Sequence, residues 1–261
     1  MRGLGRTVTL AAVLLSLAGM ARAAEVRVLS VGAVETAVKG LAAAFTKKTG
    51  HKVILTFAPP AAVAQKVAAG EPFDAVIASE ATMDQFDQEG TVNPESRQRL
   101  ANVGIGVAVR AGGAAPDIST PDGFTAALTG AKSIVYGDPA IANASGQTAE
   151  KILAKAGILD AVKPKVQIVP DRLASQAMIA KGEVELGLYN MSEIPDGEGL
   201  KLGLKLLGPV PRPLQISTTF EGGLLSDGSA PEATTVFIRF LTEPDARAKW
   251  LAAKLEPLLD H

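Results

Sequence analysis

Apolar and polar positions along the chain alternate between short runs typical of strands and longer stretches with helical spacing. Residues 25–31 alternate and then become apolar, as a buried strand does, and residues 34–48 place apolar side chains on one helical face. The pattern continues over predicted strands at 51–58 and 73–78 and predicted helices at 61–69 and 81–88. Because parallel strands need helical connections, this order predicts a mainly parallel sheet with helices on both faces.

A second series of the same kind follows further along the chain. Strands are predicted over 103–110, 133–136, 165–169, 184–189 and 214–220, and helices over 145–156, 173–180, 231–241 and 244–255. Two such series predict an α/β protein of two lobes, each a mainly parallel sheet flanked by helices, with a ligand cleft between the lobes.

Small residues follow the predicted strands at the carboxyl ends, where open sheets of this class bind ligands. The positions concerned are Gly32, Ala33, Pro60, Ala61 and Ser79. The stretch 133–157 has the same arrangement, with a strand, a loop of small residues and a helix that starts at Ser145 and Gly146. The start of a helix is a site for an anion, although ordinary capping explains these residues equally well.

The N-terminal residues have the features of a secretory signal peptide. Arg2 and Arg6 precede an apolar run over 8–17, and Ala21-Arg22-Ala23 is an A-x-A cleavage signal. The alternative is a membrane anchor, but a run of about ten residues is too short for the roughly 20 that a spanning helix needs. We therefore predict a signal peptide over 1–23 and a periplasmic mature protein.

Charge and composition narrow the classes of function. The predicted signal carries three of the 26 Lys and Arg residues and no Asp or Glu, so the mature chain is more acidic than the full sequence, whose formal charge is −1. An acidic chain argues against a nucleic-acid partner. The sequence has no cysteine and two histidines, so neither a metal site built on thiolates or several histidines nor another cofactor is expected.

The sequence offers little support for an enzyme. It contains no nucleophile elbow, no P-loop and no dinucleotide fingerprint. Asp138 and Asp171 could form a pair of carboxylates for acid–base chemistry. More simply, Asp138 shapes a Gly-Asp-Pro turn and Asp171 caps the next helix. We therefore expect a binding protein and no enzyme.

Three further residues are candidates for binding an anion. Arg172 precedes an apolar helix and offers a rigid fork of donors, or is simply a solvated surface residue. Tyr189 and Asn190 end an apolar strand and either line the cleft or, for Tyr189, belong to the core with a satisfied hydroxyl.

Several segments together carry a resemblance to a known family. They are VLSVGAVETAVKGLAAAFTKKTG (28–50), GEPFDAVIAS (70–79), VGIGVAVRAG (103–112), SIVYGDPA (133–140), GEVELGLYNMSEI (182–194) and FIRFLTEPDARAKW (237–250). In this order they resemble the periplasmic solute-binding proteins of ABC importers, in the branch of the molybdate receptors. The resemblance implies a type II periplasmic binding fold that bends at a hinge. We place the first lobe at about 24–104 plus 216–261, partly on this resemblance, and the second at 105–215.

The resemblance also implies which positions hold the ligand. Molybdate receptors use two serine hydroxyls, main-chain N–H groups and a tyrosine hydroxyl. The first serine falls on Ala33, after Gly32, and the second falls within 59–62, at Pro60 or Ala61. The remaining positions fall on Ser145, near Arg172, and on Tyr189 or Asn190. The loss of both hydroxyls argues against molybdate, and Arg172 favours an organic carboxylate.

The leading hypothesis is a monomeric periplasmic solute-binding protein that captures a small anion and delivers it to an ABC permease in the inner membrane. Nucleic acid is not an expected partner. Two alternatives remain: an exported enzyme that uses Asp138 or Asp171, and a ligand-sensing subunit of a membrane signalling protein.

Overall fold

The computed structural model describes residues 23–141, 144–194 and 203–258. The predicted signal peptide therefore lies outside the described residues, apart from Ala23. No described helix combines the length and the apolar character that a membrane crossing requires.

Strands and helices alternate through most of the chain. The strands are β1 Glu25–Val31, β2 Lys52–Ala58, β3 Ala75–Ser79, β4 Gln98–Arg110, β5 Ile134–Tyr136, β6 Val166–Ile168, β7 Leu186–Asn190, β8 Leu204–Pro209, β9 Ser217–Leu224 and β10 Glu256–Pro257. The helices are α1 Glu35–Thr49, α2 Pro60–Ala68, α3 Glu80–Gln88, α4 Pro121–Gly130, α5 Ala144–Lys155, α6 Leu159–Val162, α7 Arg172–Lys181, α8 Pro231–Phe240 and α9 Arg247–Ala252. Two short 3-10 turns matter below, Gly32–Val34 before α1 and Met191–Glu193 after β7.

The strands follow one another in the order β2-β1-β3-β9-β4-β7-β5-β6. The pairs β1–β2, β1–β3, β5–β6 and β5–β7 are parallel, as the alternation with helices predicts. The strands β4 and β9 are antiparallel to their neighbours and join the two parallel groups. The helices that follow β1, β2 and β3 start at the same edge of the sheet, because parallel strands all end there.

Two separate hydrophobic cores lie along this order of strands. The first takes its buried residues from 26–103 and 220–255, and the second from 105–210. A smaller cluster around Ile179 and Tyr189 packs on the other side of β7. The predicted lobe boundaries, 24–104 plus 216–261 and 105–215, remain predictions.

The strand β4 passes from one core into the other at Gly104. Val103 is buried in the first core and Ile105 in the second. The side-chain amide of Gln215 accepts from the Ile105 N–H and donates to the Ile105 carbonyl, each at 2.9 Å. A Cβ at Gly104 would lie 2.7 Å from this amide. Gln215 thus pairs both backbone groups of Ile105 where the chain leaves one core for the other.

Several strands differ from the sequence-based prediction: β9 starts three residues later than predicted, β10 was not predicted, and β4 and β8 differ most. The strand β4 begins at Gln98, five residues before the predicted start, because its first half pairs with β9. The strand β8 was not predicted, and it is held by pairing with the second half of β4. Both strands depend on a distant partner, which a local pattern does not reveal.

Candidate functional site

A cavity of about 300 Å³ lies where the carboxyl ends of β1, β2 and β3 face the first turns of α5 and α7. Its lining includes seven of the ten predicted binding residues, namely Gly32, Ala33, Pro60, Ser79, Ser145, Arg172 and Asn190. Ala61, Gly146 and Tyr189 do not line it. That the seven residues bind a ligand remains a prediction.

Helix starts from both halves of the molecule face this cavity. Pro60 opens α2 from the first half of the molecule, and the turn Gly32–Val34 leads into α1. From the second half, Ser145 lies in the first turn of α5 and Arg172 opens α7. The positive ends of several helix dipoles therefore converge on one space, which favours a negative ligand.

The cavity has an apolar wall where the resemblance places hydroxyl groups. The side chains of Ala33 and Pro60 contain only carbon, and Phe57 also lines the cavity. Across the cavity, Leu173 is 61% exposed, although it is a large hydrophobic residue. An exposed apolar surface inside a cleft favours a ligand with a carbon skeleton.

Two aspartates considered for catalysis serve local structure. Asp138 accepts a hydrogen bond from the Ala140 N–H at 2.8 Å, as expected in a tight turn. Asp171 caps α7 by accepting from the Ala174 N–H at 2.6 Å. Asp171 lines the cavity and Asp138 does not, so the cavity does not bring the two together as an acid–base pair.

Tyr189 has a buried, hydrogen-bonded hydroxyl, one of the two alternatives of the sequence analysis, and its contact with a ligand remains a prediction. The Tyr189 hydroxyl donates to the Ser175 Oγ at 2.9 Å, and both residues are buried. Burial raises the pKa of Tyr189 to about 12, so the phenol stays neutral at ordinary pH. A space of about 20 Å³ lies between Tyr189, Ser145, Arg172 and Glu193, just behind the cavity.

The structure adds a cavity residue that the sequence analysis missed, Glu193. Only 13% of its side chain is exposed, and its Oε1 lies 3.6 Å from the Nε of Arg172. Burial raises the pKa of Glu193 above its usual value, while Arg172 and hydrogen bonds from Asn190 oppose the change. Glu193 belongs to the segment that carries the resemblance, but a lone glutamate after a strand gives no periodic signal.

Asn190 stands beside Glu193 and is itself 3% exposed. Asn190 favours the ionised form of the Glu193 carboxyl and so opposes the rise in its pKa. Its Oδ1 has no hydrogen-bond partner among the residues that the structure describes. A buried acceptor left open at a cavity is a place for a donor group of a ligand.

The chain belongs to the bacterial extracellular solute-binding proteins, a family that it matches over residues 26–253. It is 31% identical over 237 residues to an aconitate isomerase from a Pseudomonas species, covering 88% of this chain and 87% of the relative. It is 29% identical over 236 residues to the molybdate-binding protein ModA of Azotobacter vinelandii, covering 88% and 89%.

Solved structures show the same two-lobed fold. The sulfate-binding protein SubI of Mycobacterium tuberculosis superposes with a TM-score of 0.74 at 18% identity, over 90% of this chain and 87% of that one. The periplasmic molybdate-binding protein of Azotobacter vinelandii superposes with a TM-score of 0.72 at 19% identity, over 90% and 100%. The predicted fold class and the predicted molybdate-receptor-like branch are confirmed.

The comparisons correct one prediction, that the chain is not an enzyme. A relative that matches most of the chain is named an isomerase. The sequence argument relied on missing nucleophile and nucleotide motifs, but proton transfer needs no such motif, since one suitably placed carboxyl group is enough.

Gly146 provides a test of how the start of α5 is positioned. A Cβ at Gly146 would collide with the carbonyl oxygen of Gly137 and lie 2.8 Å from its carbonyl carbon. We expect Gly146→Ala to destabilise the protein by about 1–3 kcal/mol, because backbone atoms must move. Thermal unfolding would measure this. Gly130→Ala is the control, since open space surrounds that position. Equal melting temperatures for the two variants would contradict the close packing.

Glu193 provides a pH-dependent test of its burial. Because its pKa is raised on folding, it stabilises the protein below the unfolded pKa of about 4.3, and this stability is lost as pH rises through the folded pKa. We expect Glu193→Gln, which mimics the protonated form, to raise the melting temperature near pH 8 and to change it little near pH 4. Each kcal/mol of added unfolding free energy would raise the melting temperature by about 2–4 °C.

The matched control for this test is Glu183→Gln, because the Glu183 side chain is 53% exposed. It should show no such pH-dependent difference. A Glu193→Gln protein that is less stable than the wild type near pH 8 would mean that the ionised carboxylate stabilises the fold.

Proposed function

We propose that this chain is a periplasmic receptor that captures a small organic anion with two or more carboxylates and delivers it to an ABC permease. The observation that carries the proposal is the composition of the cavity. It combines Arg172 and converging helix starts with the hydrocarbon side chains of Ala33 and Pro60, and the resemblance places the two serine hydroxyls of molybdate receptors at Ala33 and within 59–62.

Arg172 is suited to a carboxylate. Its guanidinium offers five donors in a planar fork that matches the two oxygens of a carboxylate. Its Nη1 donates to the Gln176 Oε1 at 3.3 Å, and its Nε faces Glu193. About a third of the side chain is exposed (34%). The guanidinium therefore keeps donors for a ligand while Gln176 holds its position.

The size of the cavity and its apolar wall favour an organic ligand. A tetrahedral oxyanion has four oxygens, which take up about 120 Å³ if each is counted as one water of liquid volume. The cavity of about 300 Å³ leaves room for a carbon skeleton beside Phe57, Pro60 and Leu173.

A ligand with more than one carboxylate would explain why helix starts lie on both sides of the cavity. Helix starts face the cavity from both halves of the molecule, so a ligand charged at both ends contacts both. Such a ligand binds the closed form more tightly than the open form, and this difference drives closure of the hinge.

A second candidate function is isomerisation of a small unsaturated polycarboxylate in the same cavity. Two observations favour it: the relative named aconitate isomerase, and the buried carboxyl of Glu193 beside Arg172. Aconitate is an unsaturated tricarboxylate, so it also fits the anion proposed above.

The remaining parts of the proposal concern location and partners. The family supports export, and we propose that the mature chain begins near residue 24 and works in the periplasm as a monomer without nucleic acid. A sensor subunit would use the same cavity with a membrane signalling protein as its partner. Binding of the loaded protein to a permease would distinguish the two roles.

Titration calorimetry of the mature protein tests the receptor. We expect cis-aconitate, trans-aconitate or citrate to bind more tightly than molybdate, tungstate or sulfate. Arg172→Gln should weaken binding by about 10–100-fold, since charged hydrogen bonds contribute about 1.5–3 kcal/mol. Arg239→Gln, at an exposed position on α8, should leave the affinity unchanged. Tightest binding of molybdate, or equal affinities for both arginine variants, would contradict the proposal.

Proton NMR of cis-aconitate incubated with the protein tests the second candidate. We expect the signals of trans-aconitate to grow in proportion to the amount of protein. Tight binding of cis-aconitate without conversion would support the receptor function and contradict the isomerase function.

A further inference from the structure

We propose that Glu193 is the acid–base residue of the cavity and carries a proton between two carbons of a bound unsaturated polycarboxylate. This inference rests on the second function proposed above. It adds the residue that performs the chemistry and the type of reaction.

Glu193 is held in place from several directions. Its backbone carbonyl accepts from the Gln176 Nε2 at 2.8 Å, and the same Gln176 side chain accepts from Arg172. The next residue, Ile194, accepts at its carbonyl from Lys254 Nζ at 2.6 Å. Because Lys254 comes from the C-terminal part of the chain, the short turn that carries Glu193 is tied to both halves of the molecule.

The ion pair between Arg172 and Glu193 has a longer N–O distance than the ion pair between Arg97 and Glu221. Glu221 is also largely buried, with 5% of its side chain exposed, and Arg97 donates to it at 2.7 and 2.9 Å. Arg172 and Glu193 approach no closer than 3.6 Å, beyond hydrogen-bond distance. A buried carboxyl without a tight cationic partner is costly to keep, and such groups are frequent at functional sites.

Asn190 can support Glu193 in both of its protonation states. Its amide NH₂ is a donor that favours the ionised carboxylate, and its Oδ1, open among the described residues, can accept from a carboxylic acid after rotation. An acid–base residue needs this property, since it alternates between the two forms in each turnover.

The reaction is a shift of a proton and a double bond. The Glu193 carboxylate removes a proton from the CH₂ carbon that bears a carboxylate and adjoins the C=C bond. The electron pair of the broken C–H bond forms a new C=C bond to the neighbouring carbon. The old π pair moves to the far alkene carbon, which takes the proton back from the Glu193 carboxylic acid.

The reaction is balanced and needs no oxidant or other reactant. One C–H bond breaks and one forms, and the double bond moves by one position. Negative charge spreads over the carbon chain and its carboxylate in the intermediate. Arg172 and the helix starts around the cavity stabilise that charge. The new double bond takes the geometry that the cavity imposes on the chain, so a cis isomer can become trans.

The other charged groups at the cavity have different roles. Arg172 faces Glu193 from α7, and Asp171 and Glu35 line the cavity at the starts of α7 and α1. Asp171 already caps α7. Tyr189, behind the cavity, keeps its proton because its pKa is raised to about 12. Glu193 is the carboxyl in this group that is largely buried, engaged by Asn190 and next to Arg172.

The experiment compares wild type, Glu193→Gln, Glu193→Asp and the control Glu183→Gln with cis-aconitate, both unlabelled and deuterated at the CH₂ carbon. We expect the wild type to convert the substrate, and the deuterated form to react more slowly because a C–H bond breaks. Glu193→Gln should bind at least as tightly as the wild type by calorimetry, because it removes a negative charge beside Arg172, and its conversion should fall by about 10²–10⁴-fold. The exposed control should match the wild type.

The pH profile separates proton transfer from a structural role. The wild-type rate should fall on the acid side as Glu193 becomes protonated, and Glu193→Asp should move that limb and lower the rate. If Glu193→Gln converts the substrate as the wild type does, or Glu193→Asp leaves both rate and limb unchanged, the inference is wrong. The Asp variant decides the question if the Gln variant fails to fold.

Two outcomes for the wild type distinguish the inference from the functions on which it rests. If the wild type binds no polycarboxylate, the proposed receptor function is wrong as well. If it binds cis-aconitate but neither converts it nor shows an isotope effect, the isomerase and the role of Glu193 fall, while the receptor function stands.

Discussion

The passage of β4 through both hydrophobic cores is the constraint on which the site depends. Val103 and Ile105 are neighbours of the same Gly104, yet each is buried in a different core. Gln215 pairs the backbone of Ile105 at that step and keeps the crossing ordered. The two sets of helix starts face each other because the sheets that carry them share this strand. The cavity between them follows from the topology.

The alternation of strands and helices could be predicted because the central strands are buried on both faces. All five residues of β3 are buried, so the strand appears in the sequence as an apolar run. The strand β8 and the first half of β4 could not be predicted in this way. Both contain polar or partly exposed residues and are held by pairing with distant strands. The local pattern of apolar residues indicates which residues are buried, but it does not indicate which distant strands pair.

The same distinction explains what the sequence revealed of the site. Gly32 and Pro60 could be placed at the cavity because they follow parallel strands that end at one edge of the sheet, and Ser145 because it follows a strand of the second half that ends on the facing side. Glu193 could not, because its burial arises only when the turn after β7 packs against the rest of the site. No periodicity marks a residue of this kind, and a glutamate outside regular structure is normally solvated.

Capture and catalysis make opposite demands on one cavity. A receptor gains by binding its solute tightly in the ground state, whereas a catalyst gains only from contacts that strengthen in the transition state. In the two functions proposed above, the helix starts and Arg172 would serve both, since negative charge is present throughout. The carboxyl of Glu193 serves one, because a second negative group beside Arg172 weakens the capture of an anion. Glu193 is loosely paired and largely buried there, and the proposed proton transfer would use a carboxyl in that state.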